Sequence, residues 1–331
     1  MKAVLCKQYG GPETLVIEEV PSPMAKAGEV VITVHAAAVN FPDTLIIENK
    51  YQFKPPLPFS PGGEVSGVIK SVGEAVEGFA PGDRVQAGCG WGGFAEEVAV
   101  RAHKTTLLPF DVPLIEAAAL ISTYGTTYHA LRDRAAMARG ETLLVLGASG
   151  GTGIAAIEIG KLMGARVIAA ASSAQKLALC KQYGADELID YSKPDWREQL
   201  RTLTQGQGVD VVYDPVGGPY SEPALRSMAW GGRFLVIGFA AGEIPKPPLN
   251  LALLKGCSIV GVFFGAYAER QPQAYQALRA ELMTWLASGR IRPAITLTKP
   301  IEEAASVLVE VKARRAMGKI VLTTAAGRAA R

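Results

Sequence analysis

Apolar and polar positions change rhythm near residue 122. Before it, strand-like runs at Val30 to Val34, Val65 to Val72 and Phe94 to Val100 are broken by Gly and Pro and show few helical periods. That texture predicts a small antiparallel, barrel-like domain over 1–122. After it, strand and helix patterns alternate. Thr142 to Leu146 reads as a strand, Ile154 to Met163 as a buried helix, Arg166 to Ala170 as a strand, Ala174 to Tyr183 as a helix and Glu187 to Ile189 as a short strand. Val209 to Tyr213, Arg233 to Gly238 and Ser258 to Phe263 continue the series. Six parallel strands in a doubly wound α/β domain over 123–264 are therefore expected. Beyond Gly265 come a helix (Pro272 to Ser288), a strand-like Ala294 to Leu297, a helix (Ile301 to Lys312) and a closing strand (Lys319 to Thr323). The Ala/Arg tail after Thr324 is expected to be disordered.

Between the first strand of the α/β series and its helix lies Gly147-Ala148-Ser149-Gly150-Gly151-Thr152-Gly153. Strand, glycine turn, helix is the order a dinucleotide site requires. Gly147, Gly150 and Gly153 supply a tight turn, a close approach of backbone to pyrophosphate and close packing of helix on strand. The end of the second strand decides between nicotinamide cofactors. It reads Ala170-Ala171-Ser172-Ser173-Ala174-Gln175-Lys176 and holds no carboxylate to repel a 2′-phosphate. Ser172, Ser173 and Lys176 offer two hydroxyls and a charge, with Tyr191 a third hydroxyl, so NADPH is the expected cofactor. The plainer readings are helix capping for the serines and a solvated surface for Lys176 and Tyr191. Ligands of such sheets sit beyond the carboxyl ends of the strands, which brings Gly238, Phe239, Val262 and Phe264 to the nicotinamide half. Asp214 reads slightly better as a turn residue than as a cofactor contact.

The first domain carries Pro61-Gly62-Gly63-Glu64-Val65-Ser66-Gly67-Val68-Ile69, then Val72-Gly73, then Pro81-Gly82-Asp83-Arg84-Val85. With these residues the chain resembles, over essentially its whole length, the medium-chain dehydrogenases/reductases, which join a GroES-like domain to a nucleotide-binding domain. That resemblance implies an interrupted layout in which 265–331 returns to the first domain. In the zinc branch of the family the landmark reads Gly-His-Glu and its His binds the metal; here the position is Gly63. The zinc-binding Cys falls on Asn40, and a further Cys falls near Ser122. Cys6, Cys89, Cys180 and Cys257 form no C-x-x-C pair, and the lobe with clustered cysteines is missing between Val85 and Gly92. No metal is expected. Val39-Asn40-Phe41 with Asp43, the Ala148 glycine turn and Gly318-Lys319-Ile320-Val321-Leu322 are most similar to the NADPH:quinone oxidoreductase, or zeta-crystallin-like, branch.

Without a Lewis acid, an isolated ketone is a poor hydride acceptor because full charge develops on one oxygen. A quinone or conjugated carbonyl delocalises that charge, and positioning with a few hydrogen-bond donors suffices. The resemblance implies a cleft between the domains near Asn40, Asp43, Tyr51 and Tyr124 to Thr127. Asn40, Tyr51 and Thr127, in that order, are the candidate donors to substrate, each with a plainer reading as turn brace, aromatic rim residue and helix cap. Asp43 and Glu64 read as structural, Cys89 as a small buried thiol, and the dispersed His35, His103 and His129 form no cluster. Arg314, Arg315 and Lys319 are placed to reach the cofactor phosphates, with a solvated helix end as the alternative.

Net charge is +3, without a basic block interleaved with aromatics, which argues against nucleic acid. No apolar run is long enough to span a membrane. The MKAVLC opening reads as part of the fold rather than as a signal peptide, and sparse cysteines fit a reducing cytoplasm. The apolar sixth strand, left at a sheet edge, points to a homodimer. The expected function is metal-independent hydride transfer from NADPH to a quinone. Reduction of conjugated C=C bonds in enals, enones or enoyl thioesters is the alternative, and a cofactor-binding protein with little turnover is a second.

Overall fold

Val30, Val31, Ile32 and Val34 have no exposed surface, so the strand Glu29–Ala38 presents apolar side chains to both of its faces. In the computed structural model, which describes residues 1–329, this strand is the centre of the first of two units, Met1–Ser122 together with the chain from Glu281 onward. It pairs antiparallel with Glu64–Val72, with Glu97–Arg101 and with Lys319–Thr323. Sharing one long strand among three partners wraps the sheet into a barrel-like wall. Val321 lies opposite Ala38 in this register, which sets Lys319 beside the turn that follows Ala38.

The second unit, Thr123–Ala280, is the α/β domain. Its six strands lie in the order Glu187–Asp190, Arg166–Ala171, Thr142–Leu146, Val209–Asp214, Met228–Val236, Ser258–Gly261, and every neighbouring pair is parallel. Leu143, Leu144, Val145 and Leu146 are fully buried, the unbroken apolar run of a strand covered on both faces. The chain order reverses between Thr142–Leu146 and Val209–Asp214, which makes a ligand crevice at their carboxyl ends. Helix Gly151–Leu162 packs close: a Cβ on Gly160 would sit 2.8 Å from Leu143 Cδ2.

Some boundaries differ from the sequence reading. The fifth strand starts at Met228 and stops at Val236, before Gly238. Residues 265–280 fall in the second unit rather than opening the return, because Tyr267 stacks on His129 at 4.0 Å and Tyr275 lies 5.7 Å from Phe264. Two π-helical turns, Ile121–Gly125 and His129–Arg134, flank Thr126–Tyr128. The tail is not disordered over its described part: Ala325–Ala329 is helical. Gly327 lies against the His35 carbonyl, where a Cβ would come within 2.0 Å, and Arg328 donates to Thr323 O at 2.8 Å. Ala330 and Arg331 lie outside the described residues.

Candidate active site

The glycine turn is shaped by contacts that no larger residue would permit. Gly147 has φ +58°, and a Cβ there would meet Val216 Cγ2 at 2.7 Å. A Cβ on Gly153 would come within 2.5 Å of both the Gly147 and Ala148 carbonyls, so this glycine lets the helix fold back onto the turn itself. Gly150, extended at φ −77° and ψ 170°, precedes helix Gly151–Leu162. The first-turn N–H groups of Gly151, Thr152 and Gly153 have no intrahelical acceptor and carry the positive end of the helix dipole. Ala148 and Ser149 are buried, leaving backbone as the face of the turn.

At the end of the neighbouring strand, Ser173 caps helix Ala174–Gln182, its Oγ accepting from Lys176 N at 3.3 Å. The capping reading thus holds for Ser173. Ser172 is different: its Oγ takes a 3.2 Å hydrogen bond from Lys176 Nζ, so hydroxyl and ammonium converge on one point. Asp190, the nearest acid in the adjacent strand, spends Oδ1 on the backbone and side chain of Ser192. Tyr191 follows it, its ring 4.4 Å from that of Tyr220.

Across the crevice, Asp214 is buried and its carboxylate is consumed by the turn. Oδ1 accepts from Val216 N (2.8 Å) and Gly217 N (2.9 Å), and Oδ2 from Ser221 Oγ (2.5 Å). Burial pushes its pKa up, opposed by those three donors. Gly238 N donates to Asp214 O at 3.3 Å and Val262 N to Val236 O at 3.1 Å, so Gly238, Phe239 and Val262 follow the strands at their carboxyl ends. Phe264 abuts Gly125 with the tip of its ring: a Cβ on Gly125 would lie 2.5 Å from Phe264 Cζ. Thr127, expected to donate to substrate, has its hydroxyl engaged within the protein. It is fully buried, its hydroxyl 2.9 Å from the Tyr213 hydroxyl and 3.3 Å from the Thr152 carbonyl it donates to. It braces the glycine-turn helix instead. Tyr213, which no sequence signal marked, is held protonated by burial against the pull of Thr127 and Thr152. Tyr124 bonds Glu158, and His129 Nδ1 lies 2.8 Å from Asp133.

The first unit contributes a buried polar cluster. Asp43, in the first turn of helix Phe41–Ile46, accepts from Asn40 N (2.7 Å) and Gly62 N (3.1 Å), the loop-fixing role expected for it. Asn40 Nδ2 donates to Glu64 Oε1 (3.0 Å) and Ala38 O (3.3 Å), while Oδ1 accepts from Lys319 Nζ (2.7 Å). Lys319 can only donate and an ionised Glu64 only accept, which fixes the amide orientation. Glu64 Oε2 accepts from Ser122 N at 2.8 Å. Asn40 therefore has no amide hydrogen left for a substrate, correcting its assignment as first donor. Lys319 is corrected as well. Its side chain is 4% exposed, it donates to Val39 O (2.9 Å) and Asn40, and it pairs with Glu64 at 3.4 Å. It serves this cluster rather than a phosphate. Arg315 is likewise taken, forked onto Glu310 at 2.7 Å.

Electrostatics in the cluster follow from burial. Desolvation raises Asp43 to about 7, against the downward pull of Asn40 N–H, Lys319 and Gly62 N–H. Desolvation lowers Lys319, opposed by Glu64 and Asp43. The Cys89 thiol, half-buried rather than fully buried as expected, donates to Gly62 O at 3.3 Å and is pushed up by desolvation and then by Asp43. Tyr51 is half-buried, and its hydroxyl is raised by burial and by the charge of Asp43. Among the described residues that hydroxyl makes no hydrogen bond, so of the three candidate donors only Tyr51 keeps one free. Among the described residues no group of three or more His, Cys, Asp or Glu is placed to hold a metal ion.

A GroES-like unit and a doubly wound sheet with a glycine turn at its switch point define a two-domain dehydrogenase/reductase. Family models agree: residues 26–110 match the alcohol dehydrogenase GroES-like domain and 151–282 the zinc-binding dehydrogenase domain. The chain is 38% identical over 323 residues to quinone oxidoreductase-like protein 2 of Bos taurus, covering 97% of this chain and 92% of that protein. It is 31% identical over 325 residues to quinone oxidoreductase of Homo sapiens, covering 97% of each. Among solved structures, Escherichia coli quinone oxidoreductase complexed with NADPH superposes with a TM-score of 0.91 at 27% identity, covering 98% of this chain and 100% of that one. The chain belongs to the quinone oxidoreductase family of the medium-chain dehydrogenases/reductases, a family of oxidoreductase enzymes.

Proposed function

We propose that this protein is an NADPH-dependent reductase that delivers hydride to a quinone without a metal. The observation that carries the cofactor is the pairing of Ser172 Oγ with Lys176 Nζ at 3.2 Å, a hydroxyl and an ammonium where an NAD site would place a carboxylate. The named NADPH complex of the Escherichia coli relative supports the same reading. The glycine-turn N–H groups would hold the pyrophosphate, Ser172 and Lys176 the 2′-phosphate with Tyr191 beside them, and Gly238, Phe239, Val262 and Phe264 the nicotinamide half. When bound, the cofactor supplies the hydride.

The acceptor follows from what the protein's own residues do. Gly63 offers no side chain, and Asn40 is bonded to Glu64 and Lys319, so the position of the zinc ligands holds a closed hydrogen-bond network. Only an acceptor that spreads its own developing charge suits such a site, with Tyr51 orienting its oxygen. A protonated Tyr51 hydroxyl, raised by burial and Asp43, donates and does not act as a base.

We further propose a homodimer in a reducing, cytoplasmic setting. The edge strand Ser258–Gly261 carries Ile259 (40% exposed) and follows Leu253 (79%) and Leu254 (69%) of the preceding helix, apolar surface that an antiparallel copy of the same strand would cover. Sedimentation should show a dimer that Ile259→Asp converts to monomer; a wild-type monomer excludes this assembly. The function itself is tested by NADPH oxidation with a chelator present, an aromatic quinone and a medium-chain 2-enal being offered in parallel. Turnover with the quinone alone supports the proposal. Preference for the enal moves the protein to the double-bond reductases, and silence with both favours a binding protein.

A further inference from the structure

A cavity of about 430 Å³ opens in the second unit among the helices Trp196–Leu203, Ser221–Arg226 and Asn250–Lys255. Its floor includes Gly208 and Ser227, which immediately precede the strands Val209–Asp214 and Met228–Val236. The glycine turn follows the carboxyl end of the parallel strand Thr142–Leu146. The cavity is thus at the opposite end of the sheet from the dinucleotide crevice and plays no part in the proposed reaction.

Four cationic side chains line it, Arg197, Arg201, Arg226 and Lys255, against two acidic ones, Asp195 and Glu198. Two of the cations are already neutralised. Arg201 is forked onto Glu198 at 2.6 and 2.9 Å, and Arg226 onto Glu222 at 2.7 and 3.0 Å. Asp195 accepts from Gln199 at 3.0 Å. Arg197 and the half-buried Lys255 make no hydrogen bond or ion pair among the described residues. Arg197 acts on Glu198 only through space, after Arg201. Two uncompensated cations, contributed by different helices and facing one concave space, favour an anion that bridges them. No aromatic ring lines the space, so nothing there would stack on a nucleobase, and its volume falls in the range of small-molecule sites.

We infer that this cavity is a second ligand site, taking a small polyanion that carries phosphate groups and needs no base recognition. Inorganic tripolyphosphate is the probe. Titration calorimetry on the full chain, with saturating NADP⁺ occupying any phosphate-binding capacity of the glycine turn, should show one site per chain. Arg197→Gln/Lys255→Gln should weaken that binding at least tenfold, about 1.4 kcal/mol, with unchanged thermal midpoint and NADPH oxidation. Lys246→Gln, which removes a cation outside the cavity, should leave it unchanged. Absence of tripolyphosphate binding, equal affinity in the double variant, equal weakening by Lys246→Gln or displacement by NADP⁺ would each overturn the inference. The single variant Lys255→Gln serves if the double variant unfolds, and an unchanged affinity there counts against the site in the same way.

Discussion

Replacing Lys319 by Met keeps the length and apolar stem of the side chain and removes one charge and its donors. In the structure Nζ lies 2.7 Å from Asn40 Oδ1, 2.9 Å from Val39 O and 3.4 Å from Glu64 Oε1. At an effective dielectric near 20, two unit charges at that last separation attract by roughly 5 kcal/mol, most of which offsets the desolvation of both groups. Losing one partner leaves Glu64 buried and unpaired and two acceptors with one fewer donor, so Lys319→Met should destabilise by about 3–5 kcal/mol. Urea denaturation reads this directly. The double variant Glu64→Gln/Lys319→Met should be less destabilised than the sum of the single ones, because the second change removes the stranded charge. A loss under about 1 kcal/mol for Lys319→Met, combined with a weakened KM for NADPH, would refute the cluster assignment and restore Lys319 to the phosphates.

Lys176→Ala should raise KM for NADPH about tenfold, close to 1.4 kcal/mol, and leave NADH kinetics unchanged; equal effects on both cofactors would remove Lys176 from the 2′-phosphate. Thr127→Val should cost about 1–3 kcal/mol of stability by removing one of the two hydroxyl partners of the buried Tyr213 and leave kcat nearly unaltered, whereas a hundredfold loss of kcat would return Thr127 to the substrate. Asp43 has a folded value of about 7 against an ordinary 3.8, so its protonated form favours the native state. That contribution is full below about pH 4 and fades as pH rises through about 7, by at most about 4 kcal/mol. Of the groups that act on it, Lys319 works in the opposite sense, losing its contribution as pH falls below its ordinary 10.5. Wild-type stability measured against Asp43→Asn from pH 4.5 to 7.5 should show the decline, and parallel curves would contradict it.

The parallel sheet was legible because its strands are buried on both faces, so that a run such as Thr142 to Leu146 needs no alternation to be recognised. The glycine turn was legible because spacing and local order coincide there. Lys319 was misassigned because only the pairing of Val321 with Ala38 brings it to Asn40, 279 residues away. A second register, Ala38 opposite Glu64, explains why Asn40, a free donor on paper, has its amide hydrogens taken by Glu64 and the Ala38 carbonyl. Thr127 failed for a related reason: its partners, Thr152 and Tyr213, belong to separate elements that only the fold assembles. The tail misled by composition, since small residues that look disordered also permit the close approach Gly327 makes to His35.

The most direct test of the central claim is initial-rate NADPH oxidation by the purified protein with an aromatic quinone, in the presence of a strong chelator and with NADH as comparison. Turnover should not be reduced by the chelator, and NADPH should be preferred at least tenfold in kcat/KM. Activity abolished by the chelator, or an equal rate with NADH, would contradict it.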